Sequence, residues 1–162
     1  MTPLALACKY CHDDIALALI THLDSKDVYS EKAESSPLHL LCQNKTEKCD
    51  LFKILFNKLM NKSSELIISC YYESKLSQEA TVSTLKSILT TRNEKNETLI
   101  ASLIKYSHAN IFDYLLANCV VCVKACESTL IHLAARNGSI EILKSIVKHG
   151  LFSPKTNTGI GK

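Results

Sequence analysis

Cysteine is the residue type whose number and spacing first suggest chemistry in this chain. The 162-residue sequence contains eight cysteines, and two groups of them have the short spacing of metal ligands or redox pairs. Cys8 and Cys11 form a C-x-x-C pair, and Cys119, Cys122 and Cys126 form a C-x-x-C-x-x-x-C run. The second group is the better candidate for metal or redox chemistry, because it supplies three potential ligands within one short stretch.

Other residues show no pattern of a common catalytic site. The sequence has no H-E-x-x-H helix, no Ser-His-Asp order and no cluster of paired carboxylates. The run Gly159-Ile160-Gly161-Lys162 is similar to the end of a phosphate-binding loop, but Thr156 stands where that loop needs its first glycine. We therefore expect no catalytic residue in this chain, and the protein is predicted not to be an enzyme.

Four copies of one short segment lie along the chain and would position these residues. They begin at Thr2 (TPLALAC), Ser36 (SPLHLLC), Thr98 (TLIASLI) and Thr129 (TLIHLAA). Each starts with a residue type that caps helices and continues with apolar residues at helical spacing. The middle step is twice the last one, so we predict a degenerate copy with helices near 64–70 and 82–89.

The last copy predicts a complete helical hairpin. Thr129 is expected to cap the first helix with its side chain. Asn137-Gly138 is expected to end that helix, because glycine readily adopts the positive φ of a C-terminal turn. The second helix is expected to be amphipathic. Its predicted inward residues are Ile140, Ile142, Leu143, Ile146 and Val147, and its predicted outward residues are Glu141, Lys144 and Lys148.

The stretch TLIHLAARNGSIEIL from Thr129 to Leu143 resembles the ankyrin-repeat pattern T-P-L-H-L-A-A-x-x-G-H-x-E-I-V, mainly without its proline. The resemblance implies an all-α fold, a solenoid of stacked helix-turn-helix units with about five repeats, the third degenerate. The whole chain is then one array. Its repeats span about 1–33, 34–62, 63–95, 96–126 and 127–154, with 155–162 opening a further repeat.

The resemblance also implies a function, the non-catalytic binding of another protein across the loops and the ends of the first helices. The predicted contact residues are Tyr10, Tyr29, Glu31, Lys32, Arg92, Asn93, Glu94, Lys95, Tyr106, Lys124, Arg136 and Asn137. Their mixed charges favour a polar partner surface of both signs over an acidic one. In the family, histidines placed like His39 and His132 bond the nearby hydroxyl and backbone.

Alignment of the copies changes the interpretation of the cysteines. Cys8, Cys42 and Cys70 align with Ala135, on the packed face of the first helix. A buried free cysteine behaves as a small apolar residue, whereas a structural zinc site needs four converging ligands. We therefore expect no metal and no cofactor. The alignment places Cys122 and Cys126 in a loop, and whether they act with Cys119 on a metal or in redox chemistry stays open.

Charge and hydropathy narrow the class of partner and the location. The net charge of +3 is small and spread out, so nucleic acid is not expected. No apolar run reaches the roughly 18 residues that span a bilayer, so no membrane insertion is expected. Free thiols favour an intracellular, cytoplasmic protein, with the nucleus as a further possibility. The sequons at Asn44, Asn61, Asn96 and Asn137 are interpreted as chance occurrences.

Several alternatives concern the parent protein. The chain is interpreted as a monomeric fragment of a longer array, because neither end carries a polar capping repeat. A short natural chain is the alternative. The array could be the cytosolic ankyrin arm of a TRP-type ion channel, which apolar spans elsewhere in the parent would support. It could also recruit substrates for a multidomain enzyme.

Overall fold

The described part of the chain is helical. A computed structural model describes residues 1–24, 28, 36–70, 83, 85–126 and 129–152, with the side chains at 61–70, 120–122 and 124–126 left out. Within those residues there is no β-strand, and the one extended pairing is an isolated antiparallel bridge between Arg92 and Thr98. The all-α prediction is confirmed for this part of the chain.

The described helices include four helix-turn-helix hairpins. Hairpin 1 contains α1 (Pro3–Lys9) and α2 (Asp13–His22), and hairpin 2 contains α3 (Pro37–Cys42) and α4 (Cys49–Cys70). A short helix α5 covers residues 85–90. Hairpin 3 contains α6 (Leu99–Lys105) and α7 (Ala109–Cys126), and hairpin 4 contains α8 (Leu130–Asn137) and α9 (Ile140–Lys148).

The hairpins pack side by side in chain order. Each first helix contacts the next one, which gives an inner row of α1, α3, α6 and α8. The second helices likewise give an outer row of α2, α4, α7 and α9. Hairpin 2 therefore packs directly against hairpin 3, although the sequence between them is the longest of the connections.

The same turn closes three of the hairpins. The residue ten positions after each start donates its backbone N–H to the carbonyl five residues earlier, which is the 6→1 bond of a Schellman turn. These bonds are His12 to Ala7 at 2.9 Å, His108 to Leu103 at 2.9 Å and Ser139 to Ala134 at 3.0 Å. The residue just before each donor has a positive φ: 58° at Cys11, 57° at Ser107 and 67° at Gly138. The turn predicted at Gly138 is confirmed.

Side-chain caps begin only some of the first helices. The hydroxyl oxygens of Thr2 and Thr98 accept from the backbone N–H of Ala5 at 3.2 Å and Ala101 at 3.1 Å. Both threonines have the extended backbone of an N-cap residue. Thr129 has φ −109° and ψ 18° and makes no capping hydrogen bond. The cap predicted there is wrong, because this backbone does not aim the hydroxyl at the first turn.

The middle of the chain differs from the predicted degenerate copy. Residues 64–70 were expected to start a separate first helix, but they continue α4, which is one helix from Cys49 to Cys70. A separate helix at 64–70 would require a break near Asn61, where several residues are polar. The segment has no glycine or proline, and polar side chains alone do not end a helix. The second helix predicted at 82–89 corresponds to α5, where Leu85, Ile88 and Leu89 are buried.

The segment after hairpin 3 also differs from its prediction. Cys122, Lys124 and Cys126 were expected in a loop, but they lie in the last part of α7. The backbone of α7 breaks at Cys119, with φ −146° and ψ 39°. Cys119 is the repeat equivalent of Gly150, where hairpin 4 ends its second helix. The helical residues after Cys119 therefore extend hairpin 3 beyond the repeated unit.

The apolar core runs through the stacked hairpins, but several apolar side chains of hairpin 4 are exposed. In α9, Ile142 and Ile146 are buried as predicted, whereas Ile140 is 64% exposed and Val147 is 60% exposed. Ala135 is also exposed, although Cys8 and Cys42 at the equivalent position are fully buried. The inward placement of Ile140 and Val147 was wrong, because no described hairpin covers that side of hairpin 4.

Candidate partner-binding surface

The ends of the first helices carry a repeated pair of side chains, a cation followed by a ring or an amide. Lys9 and Tyr10 end α1, and Lys105 and Tyr106 occupy the same positions in hairpin 3. In both pairs the lysine Nζ lies 5.7 Å from the centre of the tyrosine ring, within the range of a cation–π contact. Tyr10 is 61% exposed, and Tyr106 is partly buried.

Hairpins 2 and 4 vary this pair. Arg136 and Asn137 are both exposed at the end of α8. The Asn137 amide donates to the carbonyl of Leu133 at 2.8 Å, so its side chain forms a hydrogen bond within its own helix. The Asn44 amide in hairpin 2 donates to the carbonyl of Cys8 at 2.8 Å. These two amides are therefore structural, and Arg136 is the exposed cation on this part of the surface.

The loop before α6 is a tight turn held by its own polar groups. The Asn93 side-chain oxygen accepts from the backbone N–H groups of Lys95 and Glu97, both at 2.9 Å. The guanidinium of Arg92 donates to the carbonyl of Asn96 at 2.8 Å. Asn96 has a positive φ of 60°. Asn93 thus shapes the loop, and Glu94 and Lys95 are left exposed at its tip.

This loop and the inner row together border an open groove. Its cavity volume is about 160 Å³. The lining residues are Met1, Lys9, Leu40, Gln43, Asn93, Glu94 and Lys95. The structure therefore brings three predicted contact residues of the loop next to the ends of two first helices, as a shared surface would require.

The charge on the inner row has one sign. None of the four inner helices contains an aspartate or glutamate, and three of them have Lys9, Lys105 or Arg136 in their last turn. Lys105 Nζ lies 2.5 Å from the carboxylate of Glu97, and this hydrogen bond raises the pKa of Lys105. Lysine and arginine near a helix C-terminus also interact favourably with the helix dipole.

Several acidic groups are instead held between hairpins. Glu47 accepts from the backbone N–H of Ile111 and from the amide of Asn110, both at 2.9 Å. It therefore caps the N-terminus of α7 from the neighbouring hairpin. Asp13 pairs with Lys48 at 2.6 Å. These acids join neighbouring hairpins and do not line the groove.

Asp113 makes a similar connection between α7 and α9. Its carboxylate lies 3.2 Å from His149 Nε2 and 3.7 Å from Lys148 Nζ. Partial burial raises the pKa of Asp113, but hydrogen bonds from Ser145 and His149 and the charge of Lys148 outweigh it and leave the pKa below its usual value. The charged carboxylate is thus the form that these contacts favour.

A chain of polar contacts through the turns was not visible in the sequence. Nε2 of His108 lies 2.8 Å from the carbonyl oxygen of Asn44. The Ser139 hydroxyl donates to the carbonyl of Ile104 at 2.8 Å and lies 3.0 Å from the hydroxyl of Ser107. Repeat alignment does place His108 and Ser139 at one position, but it does not show which carbonyl each contacts.

His39 differs from the role that the resemblance implied for it. His39 is buried, and neither of its ring nitrogens makes a hydrogen bond of good geometry. Burial lowers the pKa of His39 to about 4, although the nearby backbone of Thr91 opposes this. His132 is exposed. The implied histidine–hydroxyl contact is therefore not observed at His39.

The buried cysteines Cys8, Cys42 and Cys119 fit a structural role. Cys8 and Cys42 are fully buried free thiols, as the repeat alignment predicted. Burial, with Asp13 nearby, raises the pKa of Cys8 to about 12, and burial raises the pKa of Cys42 well above its usual value. The Cys119 thiol donates to the carbonyl of Leu115 at 3.0 Å. Raised pKa values keep Cys8 and Cys42 protonated, which makes them poor nucleophiles and ligands.

Some predicted sites lie outside the described residues. Tyr29, Glu31 and Lys32 are among them, as are the side chains of Cys70, Cys122, Lys124 and Cys126. Among the side chains that are described, no group of three or more His, Cys, Asp or Glu residues could hold a metal ion. No described helix has the length and apolar character to cross a membrane.

Comparison with known proteins adds no relative. The chain matches no family model, no curated protein and no solved structure. The resemblance to ankyrin repeats thus stays a prediction that rests on the repeated segments themselves.

Proposed function

We propose that this chain is an ankyrin-type repeat array that binds another protein and catalyses no reaction. The observation that carries the proposal is the groove, where the ends of α1 and α3 meet the loop residues Asn93, Glu94 and Lys95. Residues from separate hairpins thus share one open surface. Such a surface suits recognition by several weak polar contacts around a small apolar centre.

The repeated turn supports the array part of the proposal. Three hairpins close with the same backbone hydrogen bond and the same positive-φ residue. Hairpins of one shape stack with a constant rotation, which generates an extended surface along their first helices. We propose that the partner lies along this surface, and that the array is a monomer. The buried free thiols Cys8 and Cys42 favour an intracellular, reducing compartment.

Affinity capture with paired variants tests the proposal. The proteins captured by the immobilised wild-type protein are compared with those captured by the variant Arg92→Glu/Lys95→Glu. In this variant the charge of two exposed loop cations is reversed. The matched control is Lys86→Glu/Lys144→Glu, which makes the same charge change on exposed residues of α5 and α9. Quantitative mass spectrometry of the retained proteins should show at least one protein that the loop variant loses and the control keeps.

Two checks make the comparison decisive. Circular dichroism and thermal unfolding should be alike for the three proteins, and Lys95→Glu alone covers the case that loss of the Arg92–Asn96 contact disturbs the loop. If each retained protein binds the loop variants as well as it binds the control, the proposed surface is wrong.

A further inference from the structure

The lining of the groove combines two apolar residues with two cations that come from different parts of the chain. Met1 and Leu40 are its apolar lining residues, and Lys9 and Lys95 flank them. Lys9 ends an inner helix, whereas Lys95 stands at the tip of the loop before α6. Two separate segments therefore each contribute a cation to the lining of one groove.

The size of the groove fits one side chain of a partner. Its volume is about 160 Å³, and a cavity of about 150 Å³ in a protein core accommodates a benzene-sized molecule. The groove is open on one side, so a segment that passes over it could insert a single leucine or phenylalanine side chain. A segment that stays extended would continue along the four described inner-row helices, which contain no aspartate or glutamate.

Charge along that path is positive on balance. The inner helices contribute Lys9, Lys105 and Arg136 and no acid. Glu97 is engaged by Lys105, and Glu94 is the acidic residue that lines the groove itself. A helix dipole would explain cations at helix ends, but it does not explain Lys95, which is not in a helix.

We propose that the groove binds an extended acidic peptide segment of a partner protein, with one apolar side chain over Met1 and Leu40 and carboxylates beside Lys9 and Lys95. This inference rests on the proposed function and specifies the chemistry of the partner. It is an alternative to the mixed-charge partner surface expected from the sequence, and it rests on the described cations Lys9, Lys95, Lys105 and Arg136.

Fluorescence polarisation with synthetic peptides tests this. The probe is a fluorescein-labelled ten-residue peptide of glutamate and serine with one central leucine. The comparison peptides replace the leucine with glycine or each glutamate with lysine. The acidic leucine peptide should bind the wild-type protein most tightly. Its affinity should fall when the ionic strength is raised from roughly 0.05 to 0.5 M, because salt screens exposed charges.

Variants that change either the cations or the acidic residue of the groove provide a second test. Lys9→Glu/Lys95→Glu should weaken binding of the acidic leucine peptide by roughly tenfold or more, since charge complementarity is reversed at two contacts. Glu94→Gln should tighten it, and the matched control Lys86→Glu/Lys144→Glu should leave it unchanged. Lys9→Gln/Lys95→Gln, which removes charge without adding any, should give an intermediate loss.

The outcomes distinguish a failure of the acidic-peptide inference from a failure of the proposed protein-binding function. The inference is overturned if the basic or leucine-free peptide binds as well as the acidic leucine peptide, or if charge reversal at Lys9 and Lys95 has no effect. If a captured protein still depends on Arg92 and Lys95, the interaction module stands and only the partner chemistry is wrong. If neither peptide nor protein depends on this surface, both proposals fail.

Discussion

At the scale of single residues, His39 is a buried ionisable group whose ring nitrogens make no hydrogen bond of good geometry. Its pKa is lowered from 6.5 to about 4 by burial. Above pH 6.5 the ring is neutral in both the folded and the unfolded state, so it contributes no pH dependence. Between pH 6.5 and 4 only the unfolded chain binds the proton, so stability falls as the pH falls.

We predict that His39→Leu flattens this part of the stability profile. The full difference between pH 6.5 and 4 corresponds to about 3 kcal/mol for a shift of this size. Urea unfolding at a series of pH values measures it for the wild-type protein and the variant. His22→Gln, on the exposed end of α2, is the control for the loss of one histidine. Equal slopes for His39→Leu and the wild-type protein would contradict the assignment.

Cys11 occupies a turn position at which the backbone favours glycine. Its φ is 58°, close to the 67° of Gly138 in the equivalent turn. A residue with a Cβ is destabilised by about 1–2 kcal/mol in this region. Glycine avoids that strain, but the larger conformational entropy that it loses on folding offsets part of the gain. We therefore expect Cys11→Gly to raise the free energy of unfolding by roughly 0.5–1 kcal/mol.

The reverse substitution in hairpin 4 is the matched comparison. A Cβ added at Gly138 would meet no atom within 4 Å, so Gly138→Ala tests backbone strain without a clash. It should lower the free energy of unfolding by about 1 kcal/mol. Chemical denaturation measures both variants, and two changes of the same sign would show that the two turns are not equivalent.

At the scale of elements, Glu47 links two hairpins by capping α7. Both carboxylate oxygens accept hydrogen bonds from the first turn of that helix. Loss of a capping side chain costs about 0.5–2 kcal/mol, so Glu47→Ala should destabilise the fold by roughly 1 kcal/mol. Glu141→Ala removes an exposed carboxylate that pairs with Lys144 within α9, and should cost less than about 0.5 kcal/mol. Equal losses in denaturant unfolding would contradict the capping role.

The positions of the first helices could be predicted from the sequence, but the length of α4 could not. The segments at Thr2, Ser36, Thr98 and Thr129 predicted the first helices, because caps, apolar spacing and Gly138 are all local signals. The length of α4 was not predictable in this way, since the polar residues near Asn61 favour a loop and helix alike. Nothing local distinguishes one helix of 22 residues from two shorter ones.

The candidate surface was only partly predictable, for a related reason. Alignment to the repeat places Tyr10, Tyr106 and Arg136 at helix ends, where the structure has them. It could not show that the side chains of Asn93 and Asn137 are used within their own elements. Such use depends on the path of neighbouring backbone, which a pattern of residue types does not contain.

At the scale of the whole molecule, position in the stack decides how much a side chain contributes. Ile111 in hairpin 3 is fully buried, whereas Ile15 at the equivalent place in hairpin 1 is 55% exposed. Hairpin 2 covers Ile111, but no described hairpin covers that side of hairpin 1. Ile111→Ala should therefore cost about 2–5 kcal/mol, and Ile15→Ala should stay within about 0.5 kcal/mol.

This pair tests the stacking order with one and the same substitution. Thermal and denaturant unfolding of the two variants provide the free energies. Similar losses for both variants would mean that hairpin 3 is not packed against hairpin 2 as the structure has it. The result bears on the array itself and is independent of any partner.

The most direct test of the account is hydrogen–deuterium exchange of the protein with and without a partner obtained by the capture experiment. We predict that the partner slows exchange at the inner-row helix ends and in the loop at 91–97, because these border the groove. Exchange in the outer helices α2 and α9 should change little. Slower exchange confined to the outer helices, with exchange in the loop and the inner row unchanged, would contradict the claim that the inner row and the loop at 91–97 form the binding surface.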